Sequence, residues 1–250
     1  MSVIERLRAS SYVPDLDRET VTVLLSIPVI MVTLWYFGQP RFFHASIAPH
    51  LPPGLPFERL LPFFYFSGCL VLLRSVVPWL LALIVTKRRP RDYGWSFSGT
   101  FDVWWGYVAL FVIVTPFIWY ASTLPSFLQR YPFGHEAFVD NSIPLLDFVA
   151  YQFAYLMIFV SGESYWRGFV LFGLERRFGY HAILVMVIPY CMTHFGKPVA
   201  EAYASILAGT ALGYLALRHR SFWLGVAVHY ASALLMDVLA IHARGIRILP

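Results

Sequence analysis

The sequence predicts an all-α protein, a polytopic bundle of transmembrane helices. Of its 250 residues, 58% are hydrophobic and only 13% are charged, which is far from the composition of soluble domains. Apolar stretches of about 17 to 25 residues, the length a helix needs to cross the hydrocarbon core, recur along the chain. Together these features predict one integral membrane domain over residues 1–250, with about seven spans, or eight if a re-entrant segment is present.

Seven apolar segments are candidate spans. They cover residues 20–37, 62–86, 102–121, 145–172, 181–195, 201–217 and 221–242. The fifth is short and ends at the letters HFGKP, so we expect it to be tilted or to stop where its backbone lines a cavity. The proline-rich residues 49–62 and residues 123–144 are predicted to be loops outside the membrane, the second with a short interfacial helix.

The basic residues between the spans predict the orientation. If the N-terminus is cytoplasmic, the cytoplasmic connections hold eleven of them: Arg6, Arg8, Arg18, Lys87, Arg88, Arg89, Arg91, Arg176, Arg177, Arg218 and Arg220. The opposite connections hold six: Arg41, Arg59, Arg130, Lys197, Arg244 and Arg247. The positive-inside rule therefore favours a cytoplasmic N-terminus, and we expect a multi-pass protein of a bacterial cytoplasmic membrane. The charged N-terminal segment lacks the pattern of a removable signal peptide, so the first span is expected to be retained.

Several functional classes receive no support. The formal charge of +5 comes from short clusters between spans rather than one basic face, so no nucleic-acid partner is expected. Cys69 and Cys191 both lie in apolar segments, which gives neither a disulfide framework nor a cysteine zinc site. No serine lies in a nucleophile-elbow pattern and no HExxH occurs, so serine hydrolases and common zinc proteases are not indicated.

Ionisable side chains within the spans are the strongest functional signal. A central Asp, Lys or Arg costs about 2.5 to 3.5 kcal/mol on insertion scales, so such residues usually face the bundle interior and mark function. The residues retained by this criterion are Arg74, Glu163, Arg167, His194, His229 and, more weakly, Asp237. For Arg74 we expect snorkelling or a bond to a backbone carbonyl instead.

Glu163 and Arg167 lie four residues apart in SGESYWRGFV, so a helix places them on one face, where an ion pair would reduce the cost of burial. Gly168 follows them, and close approach of another backbone or of a substrate would explain a glycine there.

If His194 and His229 reach the same cavity as Glu163, the three side chains could carry out one of two chemistries. One is a His/His/Glu metal site that activates water, and the other is a metal-free general base. Either one suits peptide hydrolysis.

A ridge of small residues occurs in the sixth span. Ser205, Gly209 and Gly213 recur every four residues, which lets another helix approach closely. We expect this ridge to pack within one chain rather than at a dimer interface.

Three motifs resemble the CaaX-protease and bacteriocin-processing (CPBP, Abi or Rce1-like) family of intramembrane proteases. That family carries Glu-Glu-x-x-x-Arg, Phe-x-x-x-His and His-x-x-x-Asn/Asp on separate helices. GESYWRG matches the first motif, YCMTH matches the second with Tyr190 in place of Phe, and HYASA matches the third through His229. The likeness in order and spacing covers about residues 145–240, which would hold the catalytic core.

The resemblance implies an intramembrane endopeptidase without an obligatory cofactor, although a divalent metal such as zinc is not excluded. Glu163 would activate water, His194 would position or deprotonate it, and His229 would stabilise the oxyanion. Arg167 would fix the carboxylate. The implied partners are the lipid bilayer and a membrane-associated protein or peptide, such as a prenylated C-terminus, a bacteriocin leader or an anchored tail.

Two positions depart from the family pattern. Gly162 replaces the first Glu, which the family uses to activate water, and Ala233 replaces the Asn or Asp of the third motif. Glu163 could therefore act as the base in a variant site, Glu201 or Asp237 could supply the missing carboxylate, or the scaffold could have lost its activity. A non-catalytic member would bind a peptide or membrane partner in immunity or regulation. A small transporter, with these side chains lining a pathway, is a third possibility.

Overall fold

The computed structural model describes residues 16–97, 103–138 and 140–250, and the α-helices dominate. In chain order the helices are α1 (Arg18–Tyr36), α2 (Pro40–Ser46), α3 (Leu61–Val71), α4 (Val77–Leu81), α5 (Trp104–Ser122), α6 (Pro125–Leu128), α7 (Leu145–Glu163), α8 (Leu171–Phe178), α9 (Ala182–Met192), α10 (Val199–His219) and α11 (Trp223–Ala243). Three π-helical segments (Leu72–Val76, Ala82–Thr86 and Ser164–Val170) continue these helices, and short 3-10 turns cover Ala48–His50, Glu58–Leu60, Pro90–Tyr93, His135–Ala137 and Gly179–His181. Strands β1 (Ser142–Pro144) and β2 (Arg247–Leu249) pair in parallel.

The predicted all-α transmembrane class is confirmed. Six helical stretches of the described chain are long and apolar enough to cross a membrane: Arg18–Tyr36, Glu58–Thr86, Trp104–Ser122, Leu145–Met192, Val199–His219 and Trp223–Ala243. The 48-residue stretch covers the fourth predicted span and most of the fifth. The chain turns between them at Gly179, where φ is +54°, and reverses into α9. The short fifth span is the 11-residue α9, which ends in a turn before His194.

Side-chain pairs mark one end of the bundle, which we call the basic end. There Glu19 accepts hydrogen bonds from Arg88 and from Tyr93, and Arg220 pairs with Glu175. These contacts join the start of α1 to the end of the second span, and the end of α8 to the end of α10. Two predictions fall partly outside the described residues. These are the orientation count, which includes Arg6 and Arg8, and the third predicted span, which begins at position 102.

At the opposite end, the sheet ties the segment after α11 to the segment before α7, with Ile143 opposite Ile248. The predicted loop at 123–144 carries the short helix α6, a 3-10 turn and β1, and Val139 within it lies outside the described residues. We call this the sheet end.

The small-residue ridge packs inside the chain, as predicted. A Cβ on Gly209 would lie 2.9 Å from the Tyr190 ring, and one on Gly213 would lie 3.1 Å from Ile183 and Met186 of α9. The glycines therefore let α9 and α10 pack at short range, and that contact fixes the position of Tyr190.

Candidate active site

Glu163 and Arg167 lie where the long fourth helix changes its hydrogen-bonding pattern. Helix α7 ends at Glu163, and residues Ser164–Val170 form a π-helical segment before α8 begins. π-Helical turns are rare and occur frequently at functional sites, because they re-aim side chains out of the regular register. Ser164 Oγ lies 2.8 Å from Ser75 Oγ of another π-helical segment, so the two irregular segments face each other.

Gly168 allows this segment to approach a neighbouring backbone. A Cβ at Gly168 would lie 2.9 Å from the Tyr93 carbonyl oxygen. The glycine is therefore required by a close backbone contact within the chain, one of the two explanations that the sequence offered.

The Glu163 carboxylate forms the centre of the site. Its Oε1 accepts a hydrogen bond from Arg167 Nη1 at 2.8 Å, and His229 Nδ1 lies 3.0 Å from the same oxygen. The side chains of Glu163 and Arg167 are each only 1% exposed. Two of the predicted motifs, the first and the third, are therefore brought into direct contact.

The second oxygen of Glu163 is buried and has no hydrogen-bond partner among the described residues. It faces Gly225 of α11, where a Cβ would lie only 2.7 Å away. A buried carboxylate oxygen without a donor is costly, so a water molecule or a substrate group at this position would be stabilising.

Tyr190 connects the Glu163–Arg167 pair to His194. The Arg167 guanidinium lies over the Tyr190 ring, 4.1 Å from its centroid, and the Tyr190 and His194 rings lie 4.9 Å apart. The aromatic ring at this motif position thus stacks with the guanidinium on one side and the imidazole on the other. His194 makes no direct hydrogen bond to Glu163 within the described part of the chain.

The hydrogen bonds of the two histidines indicate their tautomers. His194 Nδ1 lies 3.3 Å from the Tyr190 carbonyl oxygen, which can only accept, so Nδ1 carries the proton. By the same argument His229 Nδ1 donates to the Glu163 carboxylate. In a neutral imidazole this leaves each Nε2 able to accept a proton from water.

The position of the missing first Glu is open. A Cβ on Gly162 would meet nothing within 4 Å among the described residues. The glycine is thus not required by packing, and a longer side chain can start there without displacing the backbone. Ala233, the other departure, lies one helical turn after His229 and is buried in the core.

Glu201 belongs to a separate cluster at the sheet end. It accepts hydrogen bonds from Lys197 Nζ at 2.6 Å and from the Tyr131 hydroxyl at 2.8 Å. Burial and then the Glu201 charge raise the pKa of the Tyr131 phenol well above its usual range, so Tyr131 remains a proton donor. The Glu201 carboxylate is therefore engaged with groups other than Glu163.

Asp237 is also engaged elsewhere. It accepts hydrogen bonds from the Tyr151 hydroxyl and from the Phe133 backbone amide, the latter at 3.0 Å, and it is fully buried. These bonds connect the loop after α6 to α7 and α11.

Arg74 lies in the π-helical segment Leu72–Val76, and its Nε has no hydrogen-bond partner among the described residues.

Among the described residues, no three His, Cys, Asp or Glu side chains lie together in an arrangement that would hold a metal ion. A catalytic zinc site normally uses three protein ligands. The metal-free site stays a prediction.

Residues 144–235 match the family model described as "Type II CAAX prenyl endopeptidase Rce1-like". The chain contains an Rce1-like domain. The Rce1-like domain covers α7 to most of α11 and so includes every side chain of the Glu163 cluster. No curated protein and no solved structure matches the chain. Together with the apolar spans, the match to the family model supports an integral membrane protein.

Sequence reasoning missed two features of the Rce1-like domain. The first is the contact between Gly225 and Glu163, although the spacing of Gly225 and His229 by four residues already puts both on one face of α11. The second is the π-helical segment, because its residues have the same apolar composition as an α-helix.

Proposed function

We propose that the chain is an endopeptidase that hydrolyses a peptide bond in a membrane-associated protein or peptide. The observation that supports this best is the Glu163 carboxylate, which is held through one oxygen by Arg167 and His229 and keeps its other oxygen free of partners among the described residues. A general base must be held rigidly within hydrogen-bond reach of its water. The Rce1-like domain supports the same reaction class.

In the proposed mechanism Glu163 Oε2 removes a proton from a water molecule, with His194 Nε2 orienting that water. The water oxygen forms a bond to the peptide carbonyl carbon. His229, in its doubly protonated form, keeps its Nδ1–H on Glu163 and donates from Nε2–H to the resulting oxyanion. The tetrahedral intermediate then collapses, the C–N bond breaks, and Glu163 returns its proton to the leaving amine. Arg167 keeps the carboxylate oriented throughout.

The test is cleavage of a membrane-anchored peptide library by the full chain in proteoliposomes, read by mass spectrometry. Glu163→Gln keeps the size of the side chain and removes the base, so cleavage should fall at least about 100-fold. Glu58→Gln, at an exposed position away from the site, is the matched control and should cleave at the original rate. Cleavage that survives Glu163→Gln would rule out this role.

The second candidate is a non-catalytic membrane protein that binds a peptide or partner. Gly162 favours it, because the position that carries the water-activating Glu in the family has no side chain here. The variant Gly162→Glu separates the two, since its Cβ has room. A peptidase that relies on Glu163 alone has activity before the change, whereas a non-catalytic protein gains cleavage only in Gly162→Glu or not at all.

A further inference from the structure

A cavity of about 170 Å³ lies at the sheet end, and none of its lining residues belongs to the Glu163 cluster. It is lined by residues that include Arg59, Phe63, Phe66, Arg130, Phe133 and His135. Its volume is several times what one water molecule needs. We call it the arginine cavity.

Two arginines of the cavity lack acidic partners. No salt bridge to Arg59 or Arg130 occurs among the described residues, and Arg130 Nε is buried without a hydrogen-bond partner. Glu136 also lines the cavity, but it pairs with His44, whose Nε2 lies 3.3 Å from the carboxylate. The lining therefore presents two guanidinium groups and one engaged carboxylate, which favours an anionic ligand.

The rest of the lining is aromatic. The Arg130 guanidinium lies 4.8 Å from the centroid of the Phe133 ring. The ring centroids of Phe63 and Phe66 each lie 6.2 Å from that of Phe133. An anion with an apolar portion satisfies both kinds of surface. Guanidinium groups match phosphate oxygens with paired hydrogen bonds.

The cavity lies between the ends of three spans. Its walls come from the residues after α1, the start of the second span and the residues after α5. The last turns of α1 and α5 expose Trp35 and Trp119, which are 59% and 65% exposed. Exposed tryptophans at span ends mark the level of the lipid headgroups.

We propose that the arginine cavity binds the phosphodiester headgroup of an anionic phospholipid. Arg59 and Arg130 hold the phosphate, and the phenylalanines contact the glycerol and the first methylene groups. This site is separate from the peptidase site and does not depend on catalysis.

The test compares the Tm of the full chain in a zwitterionic detergent with added phosphatidylglycerol or phosphatidylcholine. Phosphatidylglycerol should raise the Tm by at least about 3 °C relative to phosphatidylcholine. The double variant Arg59→Gln/Arg130→Gln should lose most of this shift. Arg247→Gln, an exposed arginine at the same end but outside the cavity, should keep it.

A shift of equal size in the double variant would overturn the proposal. Should the double variant fail to fold, Arg59→Gln alone decides the question, because Arg59 is exposed and not needed for packing. Inorganic phosphate and a peptide with a free C-terminal carboxylate are tested beside the lipid. If inorganic phosphate or the peptide raises the Tm as much as phosphatidylglycerol does, the assignment of the cavity to a phospholipid is wrong.

Discussion

At the scale of single residues, the site depends on a buried ion pair. Glu163 and Arg167 are almost fully buried and contact each other at 2.8 Å. Removing two charges from water costs several kcal/mol per ion, and the pair compensates only while both partners are present. His229 and the Tyr190 ring complete the surroundings of the pair. Each of these four side chains thus limits where the others can lie.

Replacing Arg167 by Met should destabilise the protein by about 3 to 5 kcal/mol, because it leaves the Glu163 charge buried without its partner. The double variant Glu163→Gln/Arg167→Met should recover much of that loss. Thermal unfolding in detergent measures both. Arg176→Met is the control, since its contact to Glu19 is 4.0 Å long and its side chain is 74% exposed, so it should change stability by less than about 1 kcal/mol. Unchanged unfolding of Arg167→Met would contradict the role of the pair.

Gly225→Ala should displace the Glu163 carboxylate, because the new Cβ would lie 2.7 Å from Oε2. We expect a loss of about 1 to 3 kcal/mol in stability and a peptidase rate at least about 10-fold lower. Gly68→Ala, in α3, is the matched control, because no atom of the described residues lies within 4 Å of its Cβ, and it should affect neither quantity adversely. Equal behaviour of the two variants in unfolding and peptide cleavage would show that the Gly225 contact is unimportant.

At the scale of elements, helix ends and irregular turns position the site. The turn after α9 places His194 beside Tyr190, and the π-helical segment places Arg167 below the same ring. The sequence predicted the short fifth span because its apolar run stops at HFGKP. It did not predict the π-helical segment, since hydropathy does not distinguish an α-helical from a π-helical turn. The Gly168 contact was foreseen as a close approach, but its partner, the Tyr93 carbonyl, depends on tertiary packing.

Gly168→Ala and Gly162→Ala form a matched pair within one helix. The first should lower the free energy of unfolding by about 1 to 3 kcal/mol, because its Cβ would lie 2.9 Å from the Tyr93 carbonyl oxygen. In the second, the new Cβ has no described atom within 4 Å, so the change should be neutral or stabilising by up to about 1 kcal/mol, as alanine has the higher helix propensity. Thermal unfolding of the two variants side by side is the measurement. A larger loss in Gly162→Ala would be inconsistent with this packing.

At the scale of the whole molecule, composition and span length were enough to predict a membrane bundle. The family motifs predicted the contacts of Glu163 with Arg167 and His229, but no direct bond joins Glu163 and His194 among the residues that the structure describes. Glu163, Arg167 and His229 do meet, and His194 joins them through Tyr190. The locations of Glu201 and Asp237 could not be predicted, because their partners Tyr131, Tyr151 and the Phe133 amide are distant in sequence. Long-range hydrogen bonds of this kind leave no local pattern.

The orientation of the bundle is a prediction at this scale. With the basic end in the cytoplasm, Arg89→Cys should react with a membrane-impermeant maleimide in inverted vesicles, and Arg247→Cys should react in right-side-out vesicles. Both positions are exposed and lie at opposite ends of the bundle. The native Cys69 and Cys191 are replaced by Ala beforehand. Labelling with the opposite pattern would invert the topology.

The measurement that tests the central claim most directly is a double-mutant cycle on the peptide cleavage rate with Glu163→Gln and His229→Gln. Residues that act as one unit have non-additive effects on the rate. If Glu163 and His229 form one catalytic unit through their 3.0 Å contact, the double variant should cleave no more slowly than the slower single variant. If instead the two losses in cleavage rate multiply in the double variant, the account is contradicted. It is also contradicted if the protein without substitutions cleaves no membrane-anchored peptide.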